Sequence, residues 1–239
     1  MHIVNSSFGT IPASVPEAII FDMDGTLFRT ETLLLPSYRR MFERLREEGL
    51  HKGETPSPDI ILGALGMLLK DIWARVMPEA SESARARADE LLLEEQLNGM
   101  KLGTGELYPG VKETLAQLHA WGFRLFVASN GLEGYVKGVA EAYGTSHWFE
   151  GLYSAGEYGT ASKVELVRLL LARHNVQTAW MVGDRSSDVE AGKMNGLSVV
   201  GCRYAEFGVS AGELEGSDMI IHSFPELLSL LQSAKTAEA

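Results

Sequence analysis

Ala18-Ile19-Ile20-Phe21-Asp22-Met23-Asp24-Gly25-Thr26 is an apolar run that stops at two carboxylates and a turn. Four consecutive apolar residues with polar flanks read as a strand covered on both faces, the pattern of a parallel sheet. Asp22 and Asp24 follow directly, at the carboxyl end of the strand, where open α/β sheets bind their ligands. Two carboxylates two residues apart can share a divalent cation, and Mg²⁺ takes one or two carboxylates together with phosphate oxygens. The stretch therefore points to a metal that recruits a phosphorylated ligand. The same Asp-x-Asp-Gly pattern also occurs in plain surface turns. A calcium-binding helix-loop-helix does not fit, because Leu27 and Leu33 stand where such a loop needs Gly and Glu.

Outward from this strand the period changes. Leu33, Leu34, Tyr38, Met41, Phe42 and Leu45 recur at helical spacing up to Glu48-Gly49, with Pro36 early, where a helix start or kink tolerates it. Thr55-Pro-Ser-Pro-Asp59 reads as a linker in which Ser57 caps a helix opened by Pro58. Residues 81–98, without Gly or Pro, read as another helix. Roughly 80 residues thus separate the first strand from the next, longer than a simple crossover. The expected organisation is a core of residues 1–27 and 105–239 with a helical insertion over 28–104. From residue 107 strands and helices alternate, giving an α/β, doubly wound parallel sheet. Strands are expected at 123–128, 148–153, 179–182, 198–201 and 219–221. Helices are expected at 110–121, 131–143, 162–171 and 225–231, and Ser162/Glu165 and Ser187/Glu190 look like capping boxes.

Composition narrows the partners. Lys and Arg total 21 against 32 Asp and Glu, a net charge of −11, which argues against nucleic acid and against anionic membrane. Any anionic substrate must be met locally, by metal, Lys or backbone N–H groups. Cys202 is the only cysteine, so no intrachain disulfide forms and a reducing compartment is expected. No signal peptide is read in residues 1–16, and no apolar run approaches the ~20 residues of a membrane-spanning helix. The expectation is a cytoplasmic protein, a monomer or weak dimer. The six histidines show no metal-ligand spacing, His119 and His174 read as helix surface, and Trp180 reads as core.

Four element tips carry polar residues: Asp22 with Asp24, Ser129 with Asn130, Lys163 at a helix start, and Asp184 with Asp188. Each alone has a bland explanation as a turn or a solvated charge. Together they supply what phosphoryl transfer needs: a nucleophile, charge neutralisation and an acid for the leaving group. In this order, from Ala18 to Leu231, they resemble the signatures of the haloacid dehalogenase superfamily, most closely its phosphatase branch. The resemblance implies a Rossmann-like core and a Mg²⁺-dependent phosphatase acting on a small phosphate ester. It implies that Asp22 attacks phosphorus and that Asp24 protonates the leaving oxygen, then activates water. Mg²⁺ would be held by Asp22, Asp184 and the backbone carbonyl of Asp24, with Asp188 in its outer shell. Ser129 and the N–H of Asn130 would bind phosphoryl oxygens, and Lys163 would offset charge.

The insertion is similar to the small helical cap of that superfamily's first subclass, which closes over the site and excludes water. Gly63-Ala-Leu-Gly66-Met67 resembles the cap loop that reads substrate in phosphoglycolate-type phosphatases, with Met67 in place of the usual Pro. Arg29 stands where relatives more often carry an acid. It meets a second anionic group of the substrate, or it pairs with a cap carboxylate. Among rivals, a sugar phosphomutase would use the same aspartyl-phosphate and differ in what its cap admits. A dehalogenase needs no metal and gives Asp24 no role. A phospho-aspartate signalling domain shares the Asp cluster and Lys, but has no use for a cap of this size. A silent binding protein would be expected to lack one of the core groups, and none is missing.

Overall fold

The structure is a computed structural model that describes residues 5–6, 9–10, 15–205 and 212–238. Six parallel strands form the sheet: β1 (Ala18–Phe21), β2 (Arg124–Ser129), β3 (Gly151–Ser154), β4 (Ala179–Gly183), β5 (Ser198–Cys202) and β6 (Met219–Ile221). Their spatial order is β3-β2-β1-β4-β5-β6. The order reverses between β1 and β4, and ligands of doubly wound sheets bind at such a switch point. Asn5–Ser6 pairs antiparallel with Gly9–Thr10, and Gly9 pairs antiparallel with Met219 at the β6 edge.

Every residue of β1 is fully buried, as an apolar run without alternation predicts. Its side chains divide between two layers. Ile19 and Phe21 share one cluster with Val127, Val182 and Leu118, whereas Ala18 and Ile20 join Phe126, Met181 and Leu166 in the other. Trp180 lies in the first cluster, in the core.

Between β1 and β2 stand four helices: α1 (Thr30–Glu47), α2 (Pro58–Leu62), α3 (Leu69–Val76) and α4 (Glu82–Lys101). They have a core of their own, with Tyr38, Phe42, Trp73 and Leu91 among its buried residues. The buried Glu95 of α4 ties to α1 through Arg40 and Arg44, at 3.0 and 2.9 Å. The chain enters and leaves this bundle through a two-stranded antiparallel ribbon, Phe28–Arg29 against Glu106–Leu107. Helices α5 (Val111–Ala120), α6 (Glu133–Ala142), α7 (Lys163–His174), α8 (Ser186–Met194) and α9 (Glu226–Glu238) flank the sheet.

Local details depart from expectation. Helix α1 begins at Thr30, so Pro36 lies inside it. Ser57 precedes α2 but makes no side-chain cap. Ser162 does cap α7, taking the Glu165 N–H at 3.2 Å, yet Glu165 reaches back to Ala161 instead of closing a box. Ser187 and Glu190 form no box either, because α8 opens at Ser186 and Asp188 accepts the Arg185 N–H at 2.9 Å. His119 is exposed, but His174 is half-buried between Tyr153 and Glu150. Among the described residues no helix is long and apolar enough to cross a membrane.

Candidate active site

Strand β1 delivers Asp22 to the switch point, and the neighbouring strand holds it there through an Asp22 N–H to Val182 carbonyl bond of 2.9 Å. Its Oδ1 accepts the Met23 N–H at 2.8 Å, and its Oδ2 lies 2.9 Å from Lys163 Nζ. The same ammonium donates to Asp188 Oδ1 at 2.6 Å. Lys163 opens α7 and Asp188 sits in the first turn of α8, so two helix starts meet one strand end. All three side chains are at most 3% exposed, which removes the water that would otherwise weaken these charges.

Asp184, the residue after β4, is fully buried and accepts a 3.3 Å hydrogen bond from Thr26 Oγ1. Gly25 permits this approach: its φ is +74°, and a Cβ there would lie 2.2 Å from Asp184 Oδ2. Carboxylate oxygens of Asp22, Asp184 and Asp188 fall within 4.8 Å of one another. Asp184 Oδ2 is 3.1 Å from Arg185 Nε but makes no hydrogen bond. A buried, orphaned oxygen in a group of three carboxylates is what a hard divalent cation would satisfy, and the all-oxygen donor set suits Mg²⁺.

Asp24 stands outside that triad. Its Oδ1 accepts from Thr30 Oγ1 at 2.6 Å and from Tyr135 Oη at 2.5 Å. Burial raises its carboxyl above the ordinary value, against the pull of those two hydroxyls. Asp22 is pushed up to about 7 by burial and then by Asp188, with Lys163 opposing. Burial likewise lifts Asp184, with Asp188 and Asp22 adding to it. Burial pulls the Lys163 ammonium down, but Asp188 and Asp22 outweigh it and hold the group above its usual range.

Ser129, the last residue of β2, receives the Gly131 N–H on its Oγ at 3.2 Å. Asn130 donates from Nδ2 to the Gly66 carbonyl at 2.8 Å, linking sheet to insertion, and its Oδ1 is buried without a partner. Asp22, Asp24, Ser129, Asn130 and Lys163 line one cavity between sheet and helical bundle. Arg29 is not brought to it. Its guanidinium is 2.8 Å from Glu106 and 3.4 Å from Glu31, and it borders a different cleft beside Tyr108 and Tyr204. Neither Thr30 nor Tyr135 is marked as a site residue by the sequence. Thr30 offered no signal beyond its place just after the ribbon, and Tyr135 looked like one more apolar position of a helix.

A family model described as haloacid dehalogenase-like hydrolase matches residues 16–196. The chain is 30% identical over 227 residues to a phosphoglycolate phosphatase of Vibrio vulnificus, covering 89% of this chain and 95% of that protein. It is 28% identical over 226 residues to the pyrophosphatase PpaX of Halalkalibacterium halodurans, with the same coverage of 89% and 95%. Among solved structures, CbbY from Rhodobacter sphaeroides in complex with phosphate superposes with a TM-score of 0.75 at 25% identity. That match spans 91% of this chain and 99% of CbbY.

Proposed function

The chain belongs to the haloacid dehalogenase-like hydrolases, and from that membership we propose a Mg²⁺-dependent phosphatase that hydrolyses a small phosphate monoester through an aspartyl-phosphate on Asp22. The observation that carries this reading is the position of Lys163. Its ammonium joins Asp22 to Asp188 at 2.9 and 2.6 Å, in the same cavity where Asp24 is held by two hydroxyls.

The Asp22 carboxylate attacks phosphorus, and the bond from phosphorus to the leaving oxygen breaks. Asp24, whose burial favours its protonated form, gives its proton to that oxygen. The ionised Asp24 is then stabilised by Thr30 and Tyr135. It takes a proton from the water that attacks the phospho-enzyme, releasing phosphate and restoring Asp22. Ser129 and the Asn130 N–H hold the phosphoryl oxygens, and Lys163 offsets negative charge as it accumulates. Asp22, Asp184 and Asp188, with the Asp24 carbonyl, would hold a divalent cation, which would supply further neutralisation of the phosphoryl charge. In this reading residues 28–104 are the cap, and the protein works as a cytoplasmic monomer or weak dimer.

The test is phosphoryl trapping. A radiolabelled or activated aryl phosphate should label the wild-type protein transiently in Mg²⁺, with loss of label in excess chelator, and Asp22→Asn should take up none. Labelling of Asp22→Asn at the wild-type level sinks the assignment. Transfer of the label to a second sugar phosphate instead of water would identify a mutase.

A further inference from the structure

Resting on the phosphatase reading, we infer that the leaving group of the substrate is an apolar alcohol with no second anionic group, and that Asp89 excludes anionic analogues. The cavity that holds Asp22 and Lys163 runs on into the helical bundle, where its wall is formed by Ile61, Leu65, Leu69, Ile72, Trp73 and Leu92. Such a wall gains from covering alkyl or aryl surface and offers nothing to an ion.

Charge inside the cavity is one-sided. Among the described residues that line it, Lys163 is the one cation, and its ammonium is already shared by Asp22 and Asp188. Arg185 approaches from beneath Gly66 but does not line the cavity, and its Nε faces Asp184. Arg29 turns to Glu106 and borders another cleft. A carboxylate or second phosphate on the leaving group would therefore lose its water without gaining a cationic partner.

Asp89 makes that loss a rejection. It lies on α4 with Leu92, Leu93 and Gln96, at the three- and four-residue spacing that puts all four on one face, and all four line the cavity. Its Oδ1 accepts the indole N–H of the buried Trp73, which orients the carboxyl within the wall. Gln96, the other polar group on that face, is neutral and can meet a hydroxyl or ether. The insertion thus presents the leaving group with apolar surface, a neutral amide and the Asp89 carboxyl, which burial lifts above its ordinary value and whose charged form the Trp73 N–H favours.

The experiment compares kcat/KM of the full chain in Mg²⁺ for pentyl phosphate, its isostere 5-phosphooxypentanoate and phosphoglycolate, with p-nitrophenyl phosphate as activated control. Pentyl phosphate should be preferred over both carboxylated esters by roughly 10²-fold, the scale of an uncompensated like-charge contact. Asp89→Asn keeps an acceptor for Trp73 and should narrow that ratio roughly tenfold by raising kcat/KM for the carboxylated esters. Equal or better turnover of a carboxylated ester by the wild type overturns the inference, and so does an unchanged ratio in Asp89→Asn. The wild-type ratio stands whether or not the variant folds. If p-nitrophenyl phosphate is untouched, or is hydrolysed equally by Asp22→Asn, the phosphatase reading fails and this inference falls with it. If it is hydrolysed through Asp22 while a carboxylated ester is preferred, the leaving-group inference alone fails.

Discussion

Asp24 is held by one near and one distant residue of the chain: Thr30 six positions on and Tyr135 at a separation of 111. Because its side chain is committed to these hydroxyls, Asp24→Asn should leave metal affinity nearly unchanged while slowing alkyl ester hydrolysis by ~10² to 10⁴, the range of a lost acid-base group. With an activated aryl phosphate, whose leaving group needs little protonation, the phospho-enzyme should accumulate and be visible by intact-mass measurement. Loss of Mg²⁺ binding in that variant, or an equal deficit for aryl and alkyl esters without accumulation, would contradict the role. Arg29→Ala should lower kcat/KM for neutral and carboxylated esters by the same factor, at most about fivefold, because its partly exposed ion pairs are worth only about 0 to 1 kcal/mol. A selective loss with the carboxylated esters would return Arg29 to substrate recognition. What was legible at this scale follows from position. Asp22, Asp24, Ser129, Asp184 and Lys163 each interrupt a pattern, ending an apolar strand or opening a helix. Tyr135 interrupts nothing: it fits the apolar spacing of Val136 and Val139, and only the folded chain shows where its hydroxyl goes. Trp73 and Asp89 are hidden in the same way within two amphipathic helices.

At the scale of elements, the strands were legible because a doubly covered strand has an unmistakable apolar run, and β1 and β4 were placed to within a residue. Helix starts were less so. At α8 three polar residues compete within one turn, and Asp188 wins the cap because its carboxylate also meets Lys163, a pairing that local pattern cannot reveal. The junction of Gly66 with the sheet has the same non-local character. Its carbonyl takes the Asn130 side chain at 2.8 Å, its φ is +90°, and an added Cβ would come within 3.0 Å of Arg185 Cγ. Gly66→Ala should therefore hold the bundle away from the sheet, raising KM for alkyl esters several-fold while moving the melting temperature by only a few degrees. Unaltered kinetics in that variant would show that this contact does not govern closure.

For the whole molecule, buried carboxyls around one Lys make the site a point of weakness when no cation is bound. Asp22 has its folded value at about 7 against an ordinary 3.8, so the folded state binds more protons than the unfolded state between those values. Its contribution to stability is full below the lower value and is lost as pH rises through the upper one. In chelator, Asp22→Asn should accordingly melt higher than the wild type, by a margin that widens from about pH 5 to about pH 8. Saturating Mg²⁺ should shrink the margin by stabilising the wild type. Differential scanning fluorimetry across that range measures it, and a margin independent of pH would show that Asp22 is not the source. The ribbon that opens and closes the helical bundle has a different bearing. Phe28 pairs with Leu107 and Arg29 with Glu106, so the two ends of a long insertion are hydrogen-bonded neighbours, with a 2.8 Å ion pair between Arg29 and Glu106. To the sheet, the four helices are a single closed loop whose entropic cost grows only with the logarithm of its length. The bundle can therefore gain or lose turns and reshape its pocket wall without asking the strands of the sheet to fold differently.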